Sequence, residues 1–338
     1  MAELTVAIYV PNYVPHLIEK SILSVVAQTF DSVEIIVVDD CRTNAESRGV
    51  KSTYKKLLKS LNLRYGKSIR LLSMDRSVGM SDALRSVVED SSGQYFSVLI
   101  MGDIFFKENS LSLLLDFINR HSVSDGRDLD LVQGKVVPNK KDPSVLEINQ
   151  NAYDIIEKNV PENFVEDDSD RFLEKYFLEE KHSLCIEGKF FFRPVLDDAL
   201  ERMPRVESFM ATEYLWMYFF CRAAHSFATV DGAVCVKDMD TSPDSGDLKI
   251  ETPGRWSRIC SSSSVFSAIY FDLMERPMRS EDFSEYIRSV MTRYAISNVR
   301  SMSRVDASIS MVAEAILCEA WGDDIVSECR AWIEKNDG

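Results

Sequence analysis

The fold is decided by residues 5–40, which read TVAIYVPNYVPHLIEKSILSVVAQTFDSVEIIVVDD. The first apolar run, Thr5–Val10, ends at Pro11 and predicts a β-strand. Apolar residues at helical spacing follow over 16–27. The second run, Glu34–Val38, holds four apolar residues without alternation, which is typical of a parallel strand covered on both faces. Strand, helix and strand in this order predict a right-handed βαβ unit.

The same alternation continues along the chain. It predicts helices over 53–61, 81–89 and 110–118 and strands over 69–73, 95–101 and 129–132. We therefore expect an α/β fold with a mainly parallel nucleotide-binding sheet flanked by helices, and ligand groups at the carboxyl ends of its strands. A strand is also predicted over 188–193, whereas the polar and acidic residues 138–170 predict a long excursion.

The pattern becomes helical from Arg255 onward, which predicts a helical C-terminal region. We expect one domain over 1–250 and the helical region over 251–338. Within that domain, we expect a nucleotide-binding half over about 1–135 and an acceptor half over about 136–250.

Composition excludes several classes of protein. The 338 residues carry a formal net charge of −15, which argues against nucleic acid as a partner because a polyanion binder needs a basic face. A small anionic ligand is still compatible with this charge, since a metal ion and backbone dipoles can hold it. The seven cysteines form no Cys-x-x-Cys pair and predict reduced thiols. No signal peptide is expected from the first residues, so we expect a cytoplasmic protein.

Polar groups with a chemical use follow the predicted strands. Tyr13 can stack on a base, and Asp39 or Asp40 can accept a hydrogen bond from a base imide or a ribose hydroxyl. Asp103 can hold Mg²⁺ or Mn²⁺, since these cations prefer oxygen ligands. Each residue also has a structural alternative: the acidic pair can open a turn, Tyr13 can pack in the core, and Asp103 can cap a helix.

Three segments, residues 5–13, 21–30 and 34–40, together resemble the opening of a family 2 glycosyltransferase. Gly79–Ala83 (GMSDA) and Ser92–Tyr95 (SGQY) resemble later parts of the same family. The resemblance implies the GT-A fold, a nucleotide-activated sugar donor that is very often UDP-linked, and a divalent-metal site. It is close over about 4–106 and weaker over about 185–240, and it is absent beyond that.

The resemblance also implies roles for single residues. Pro11 and Tyr13 fall where the family lines its base pocket, and Asp39 or Asp40 falls where it binds uracil. Asp103 matches the last acid of the metal motif and is the predicted ligand of Mn²⁺ or Mg²⁺. The full predicted nucleotide-binding set is Pro11, Tyr13, Asp39, Asp40, Gly79 and Gly102.

Two motifs depart from the family. Ile100–Asp103 retains one carboxylate where the metal motif has more than one. Ala211–Leu215 resembles the helix start that bears the family's catalytic acidic pair. The second member of that pair normally acts as the base, but here the pair reads Glu213-Tyr214. A tyrosine has an unperturbed pKa of about 10 and is a poor base near neutrality, so Glu213 is the predicted catalytic residue. The alternative for Glu213 is a charge favoured at a helix start. Asp238 and Asp240 are candidates for a missing metal ligand, or simply loop acids.

The leading hypothesis is a metal-assisted, inverting hexosyltransferase of polysaccharide biosynthesis. It would move a sugar from a UDP-linked donor to a glycan or lipid-linked acceptor, and a lipid-linked acceptor would bring it to the inner face of the membrane. A catalytically degenerate nucleotide-sugar-binding or partner protein is the second hypothesis, and a metal-independent transferase is the third. The helical C-terminal region could hold an acceptor, form an oligomer or do neither.

Overall fold

The computed structural model describes residues 3–40, 47–65, 68–121, 128–139, 164–166, 172–178, 183–239, 249–278 and 281–337. The chain divides into two compact units. The first contains Met1–Met203 and Trp216–Ser245, and the second contains Pro204–Leu215 and Gly246–Gly338. The domain limits near 135 and 250 stay a prediction, and most of the expected excursion over 138–170 lies outside the described residues.

The first unit is built on one sheet. Its strands are β1 (Leu4–Val10), β2 (Val33–Asp39), β3 (Ile69–Ser73), β4 (Tyr95–Ile100), β5 (Ile104–Phe105), β6 (Leu131–Pro138), β7 (Phe164–Glu166), β8 (Lys189–Phe192) and β9 (Phe227–Lys237). The described part of the sheet has nine strands in the order β3-β2-β1-β4-β8-β6-β9-β5, with β7 paired to β9. Neighbours among β1 to β4 pair in parallel, whereas β8 runs antiparallel to β4 and β6.

Helices α1 (Pro15–Val26), α2 (Ser47–Tyr65), α3 (Met80–Asp90), α4 (Ser110–Arg120), α5 (Phe172–Leu178), α6 (Arg193–Arg202) and α7 (Thr212–Ala223) accompany the strands. Proline at the first position of α1 is favourable because its missing N–H has no partner within the helix there. The buried residues Ile18, Ile22 and Val25 of α1 recur at helical spacing and form its core face.

The parallel strands β1 and β2 are covered on both faces. All seven residues of β1 are buried, and in β2 every residue except Glu34 is buried. On α7, the Trp216 ring stacks on Phe96 with centroids 6.3 Å apart, and its indole N–H donates to Ser81 Oγ at 3.2 Å. The prediction of an α/β fold with a mainly parallel sheet flanked by helices is confirmed.

The second unit is helical, as the sequence predicts. Its helices are α8 (Pro253–Cys260), α9 (Ser262–Glu275), α10 (Glu281–Ser301), α11 (Ser310–Trp321) and α12 (Asp323–Asp337), with short 3-10 helices at Met302–Arg304 and Ala307–Ile309. Two indoles tie its core together: Trp256 Nε1 donates to the carbonyl oxygen of Ala313 at 2.8 Å, and Trp321 Nε1 donates to Asn298 Oδ1 at 2.9 Å. None of the helices that the structure describes is long and apolar enough to cross a membrane.

Candidate functional site

Strand register places the ends of β1 to β4 at one edge of the sheet. Val10 lies beside Asp39, Asp39 beside Ser73, and Tyr9 beside Ile100. We call the turns that leave these strand ends, residues 11–13, 40, 74–79 and 101–103, together with Asp39, the carboxyl edge. Six of the predicted site residues fall on it with the metal-ligand candidate Asp103, as expected for ligand groups of a parallel sheet: Pro11, Tyr13, Asp39, Asp40, Gly79 and Gly102.

Asp40 fixes the turn that enters α3. Its Oδ1 accepts the Val78 N–H at 2.7 Å, and its Oδ2 accepts the Gly79 N–H at 3.0 Å. The hydroxyls of Tyr9 and Ser77 also donate to Oδ2, at 2.9 Å and 3.3 Å. Burial raises the pKa of Asp40, and these hydrogen bonds oppose the rise only in part. Both oxygens of Asp40 are therefore already hydrogen-bonded to backbone and side-chain donors of the protein itself.

Gly79 serves the same turn. It stands at the N-cap of α3 with φ of 86°, a conformation that side-chain-bearing residues rarely adopt. Glycine at this position lets the N–H point at Asp40 Oδ2. The turn is thus stabilised by hydrogen bonds to the Asp40 carboxylate and by the positive φ that glycine permits at position 79.

Asp39 and Tyr13 occupy the neighbouring part of the carboxyl edge. Asp39 is the last residue of β2 and is 5% exposed, and its carbonyl oxygen accepts the Met74 N–H at 2.9 Å. Tyr13 is half-buried and packs against the hydrophobic core of the sheet, and burial raises its pKa. Pro11 is half-buried beside them.

A serine from α1 shapes the turn between β4 and β5. The Gly102 N–H donates to Ser21 Oγ at 2.9 Å, and Ser21 Oγ donates to the Asp103 carbonyl oxygen at 2.8 Å. Gly102 has φ of 98°, so a side chain there would be strained. Ser21 is fully buried, and α1 therefore fixes the direction in which this turn leaves the sheet.

Asp103 is a buried carboxylate held by main-chain donors. It is 1% exposed. Its Oδ1 accepts the Asp238 N–H at 2.8 Å, and its Oδ2 accepts the Ile100 N–H at 3.0 Å. The pKa of Asp103 is raised to about 7, mainly by burial. The positive charge of Lys237 opposes this rise, and the negative charge of Glu187 adds to it. Among the described residues, none forms an ion pair with Asp103.

Charged groups from β9 and from the approach to β8 lie next to Asp103. Lys237, the last residue of β9, forms an ion pair with Glu187. The next residue, Asp238, has its carboxylate 3.0 Å from Lys20 Nζ of α1. The backbone N–H of Asp238 thus binds Asp103 while its carboxylate pairs with Lys20, and Asp240 lies outside the described residues.

Sequence reasoning missed Glu187, Lys237 and the serine of α1. One signal was available: Glu187 stands in an otherwise apolar run, Leu184–Ile186, directly before Gly188, and a lone acid in such a run is unusual in a core. For Ser21 and Lys237, no local pattern distinguishes them from ordinary helix and strand residues.

Glu213 and Tyr214 belong to the second unit. Glu213 is half-buried in the first turn of α7, and its catalytic role stays a prediction. Tyr214 is buried, with its ring centroid 5.9 Å from that of Phe266 and 6.1 Å from that of Tyr294. Burial and the neighbouring Tyr286 and Tyr294 raise its pKa well above the ordinary value. Tyr214 therefore cannot replace the missing base.

The sheet and its carboxyl edge define an α/β protein whose polar side chains gather at the strand ends, the place where open parallel sheets generally bind their ligands. The sequence model described as "Glycosyl transferase family 2" matches residues 5–186, more than half of the chain. The chain belongs to glycosyltransferase family 2. The prediction of a family 2 member with a GT-A type fold is confirmed.

Curated relatives are also named as glycosyltransferases. An uncharacterized glycosyltransferase of Rickettsia felis is 29% identical over 151 residues, which is 43% of this chain and 23% of the relative. An uncharacterized glycosyltransferase of Rickettsia conorii is 30% identical over 152 residues, with the same shares. The matched part spans under a quarter of the length of these relatives.

Solved structures resemble the chain at low identity. The S. aureus TarS 1–349 structure has a TM-score of 0.49 at 14% identity and covers 97% of this chain and 91% of that one. Mannosyltransferase PcManGT from Pyrobaculum calidifontis, in complex with GDP-Man and Mn²⁺, has a TM-score of 0.49 at 13% identity, covering 98% and 82%. At such low identity and TM-score, the similarity says nothing about the substrates of this chain.

Proposed function

We propose that this chain transfers a sugar from a nucleotide-linked donor bound at the carboxyl edge to a hydroxyl acceptor. Asp103 is the observation that carries the proposal. It is a buried carboxylate without an ion-pair partner among the described residues, and it stands at the strand end where family resemblance puts the metal ligand. Burying such a charge is unfavourable unless a partner compensates it.

The base of the donor would bind between Tyr13 and Asp39. Asp39 is better suited to this role than Asp40, because the Asp40 oxygens already accept four hydrogen bonds from Tyr9, Ser77, Val78 and Gly79. A uracil imide N–H needs an acceptor, which a carboxylate supplies, so we propose a UDP-linked donor.

A divalent cation fits Asp103. Mg²⁺ is usually bound through one or two carboxylates together with substrate phosphates and water. A complete protein cage is therefore not required, and within the described residues no group of three or more His, Cys, Asp or Glu side chains could form one. When bound, Mn²⁺ or Mg²⁺ supplies positive charge that stabilises the departing diphosphate. Asp103 would hold it, and the two N–H donors of Ile100 and Asp238 keep that carboxylate oriented.

Glu213 is the proposed base, on the strength of the resemblance. It would take the proton from the acceptor hydroxyl as the acceptor oxygen forms its bond to the anomeric carbon. The bond from that carbon to the diphosphate oxygen breaks, the nucleoside diphosphate leaves, and the configuration inverts. We further propose that the sugar is a hexose and that the acceptor is a glycan or a lipid-linked glycan of polysaccharide biosynthesis. The protein would then act in the cytoplasm or at the inner face of the membrane, alone or as an oligomer.

A catalytically degenerate relative is the second candidate, and Tyr214 favours it. The residue that replaces the family's usual base is buried against aromatic rings, and its raised pKa leaves it unable to accept a proton near neutrality. Such a protein would bind a nucleotide sugar without transferring its sugar.

The test is release of nucleoside diphosphate from UDP-linked and GDP-linked sugars, with Mn²⁺ or with EDTA and a panel of glycan acceptors. We expect release with a UDP-sugar in Mn²⁺, and loss of at least about 100-fold in Asp103→Ala. Asp90→Ala, on the surface and paired with Arg70, is the matched control. Nucleoside diphosphate release that persists in EDTA supports a metal-independent transferase. Donor binding without release in the presence of any acceptor supports a catalytically degenerate relative.

A further inference from the structure

Glu187 is a buried acid that the proposed function has not used. It is fully buried just before β8 and forms a parallel bridge with Val98 of β4. Its Oε1 accepts a hydrogen bond from Lys237 Nζ. Its Oε2 is buried and has no hydrogen-bond partner among the described residues. An oxygen of this kind is costly to bury, which points to a ligand that would complete it.

Glu187 and Asp103 each accept a hydrogen bond from residues at the end of β9. Two consecutive residues join them: the Lys237 side chain binds Glu187, and the Asp238 N–H binds Asp103 Oδ1 at 2.8 Å. The charges of Lys237 and Glu187 also act on Asp103 through space, because besides its burial they shift its pKa in opposite directions. The two carboxylates therefore form one electrostatic cluster.

Nearby cations are committed to other partners. Lys20 Nζ lies 3.0 Å from Asp238 Oδ2. The buried Lys189 donates its amine to the carbonyl oxygen of Cys185. Lys237 pairs with one oxygen of Glu187. Asp103 and Oε2 of Glu187 are thus buried acceptors in one cluster. Among the described residues, no cation forms an ion pair with either of them.

We propose that Glu187 is the second carboxylate ligand of the divalent cation held by Asp103, and that Lys237 is its resident counterion. Lys237 leaves Glu187 when the cation binds, so the cation takes its place beside the carboxylate. Glu187 thereby replaces the acid that Ile100–Asp103 lacks. Two carboxylates completed by phosphate oxygens and water suit Mn²⁺ and Mg²⁺. The inference rests on the proposed donor site.

Mn²⁺ affinity in the presence of saturating UDP tests the inference. Calorimetric titration compares the wild type with Glu187→Gln, which keeps the shape of the side chain and removes its charge. We expect Mn²⁺ to bind about 10-fold or more weakly to the variant, and UDP alone to bind within about threefold of wild type. An unchanged Mn²⁺ affinity would overturn the inference.

Glu34→Gln is the matched control. Glu34 is also a largely buried glutamate with a cationic partner, Arg70 at 3.1 Å, but it lies at the amino-terminal end of β2. The same chemical change there should leave both the Mn²⁺ and the UDP affinities at wild-type values. A loss of Mn²⁺ binding equal to that of Glu187→Gln would reduce the effect to general destabilisation and overturn the inference.

Thermal unfolding of Lys237→Met supplies a second readout. Without the Lys237 ammonium, no side chain that the structure describes competes with the cation for the Glu187 carboxylate. Mn²⁺ with UDP should therefore raise the Tm of this variant more than that of the wild type. An equal or smaller rise would overturn the role of Lys237.

A wild-type protein that binds neither UDP nor GDP rejects the proposed donor site itself. A wild-type protein that binds nucleotide but no Mn²⁺ overturns this inference and leaves metal-independent transfer standing.

Discussion

Replacing Asp103 with asparagine should reveal what the buried carboxylate costs the fold. Asparagine keeps the shape of the side chain but puts an NH₂ group where one oxygen was. Both oxygens of Asp103 accept backbone N–H groups, from Ile100 and Asp238. In either orientation, the NH₂ group therefore faces another donor and leaves one N–H unsatisfied, which costs about 1–3 kcal/mol.

The charge has an opposite effect that depends on pH. Burial first of all raises the pKa of Asp103 from 3.8 to about 7. Between these values the folded state retains a proton that the unfolded chain has lost, so the free energy of unfolding falls as pH rises. At 1.36 kcal/mol per unit, the total loss is about 4 kcal/mol, of which about 3 kcal/mol falls between pH 5 and 8. Asparagine does not titrate, so the Asp103→Asn variant loses none of this unfolding free energy as the pH rises.

The assay is guanidinium unfolding of both proteins at pH 5 and pH 8, in EDTA. Between these two values, the difference in unfolding free energy should move by about 3 kcal/mol in favour of Asp103→Asn. Asp90→Asn, whose aspartate is exposed and paired with Arg70, should follow the wild type within about 0.5 kcal/mol at both values. A difference between wild type and Asp103→Asn that does not change with pH would refute the reasoning.

Three further substitutions test other parts of the carboxyl edge and the Glu213-Tyr214 pair. Gly102→Ala should lower the unfolding free energy by about 1–3 kcal/mol in chemical denaturation, because φ of 98° is strained for alanine; no loss would mean that the turn can rearrange. Asp40→Asn should lower it by about 1–3 kcal/mol, since the NH₂ group would face the Val78 or Gly79 N–H; an unchanged Tm would contradict this. Tyr214→Phe should keep nucleoside diphosphate release within about threefold of wild type, because it removes a hydroxyl that cannot act as a base; a 100-fold drop would make Tyr214 catalytic.

The sequence predicted those parts of the fold that depend on local periodicity. The unbroken apolar runs of β1 and β2 predict buried parallel strands, and both strands are found with each end extended by at most one residue. Parallel register then follows, and with it the gathering of Asp39, Asp40 and Asp103 at one edge. The positions of these acids are predictable because residues that directly follow aligned parallel strands lie at the same edge of the sheet.

The partners of those acids were not predictable. Asp40 is bound by Ser77, Val78 and Gly79, which lie 37 to 39 residues away, and no local pattern states that this turn returns to it. The same limit applies to Glu187 and Lys237, which are 50 residues apart and meet only through the pairing of β8, β6 and β9. Tertiary hydrogen bonds of this kind are decided by strand order, which periodicity does not encode.

The central claim is that the carboxyl edge binds a nucleotide donor through Asp103 and a divalent cation. Calorimetric titration of the full chain with UDP, with Mn²⁺ and with EDTA, tests it most directly. The account predicts binding that Mn²⁺ strengthens by at least about 10-fold, and loss of this strengthening in Asp103→Ala. UDP affinity that is the same with Mn²⁺ and with EDTA, or a strengthening by Mn²⁺ that survives in Asp103→Ala, would contradict it.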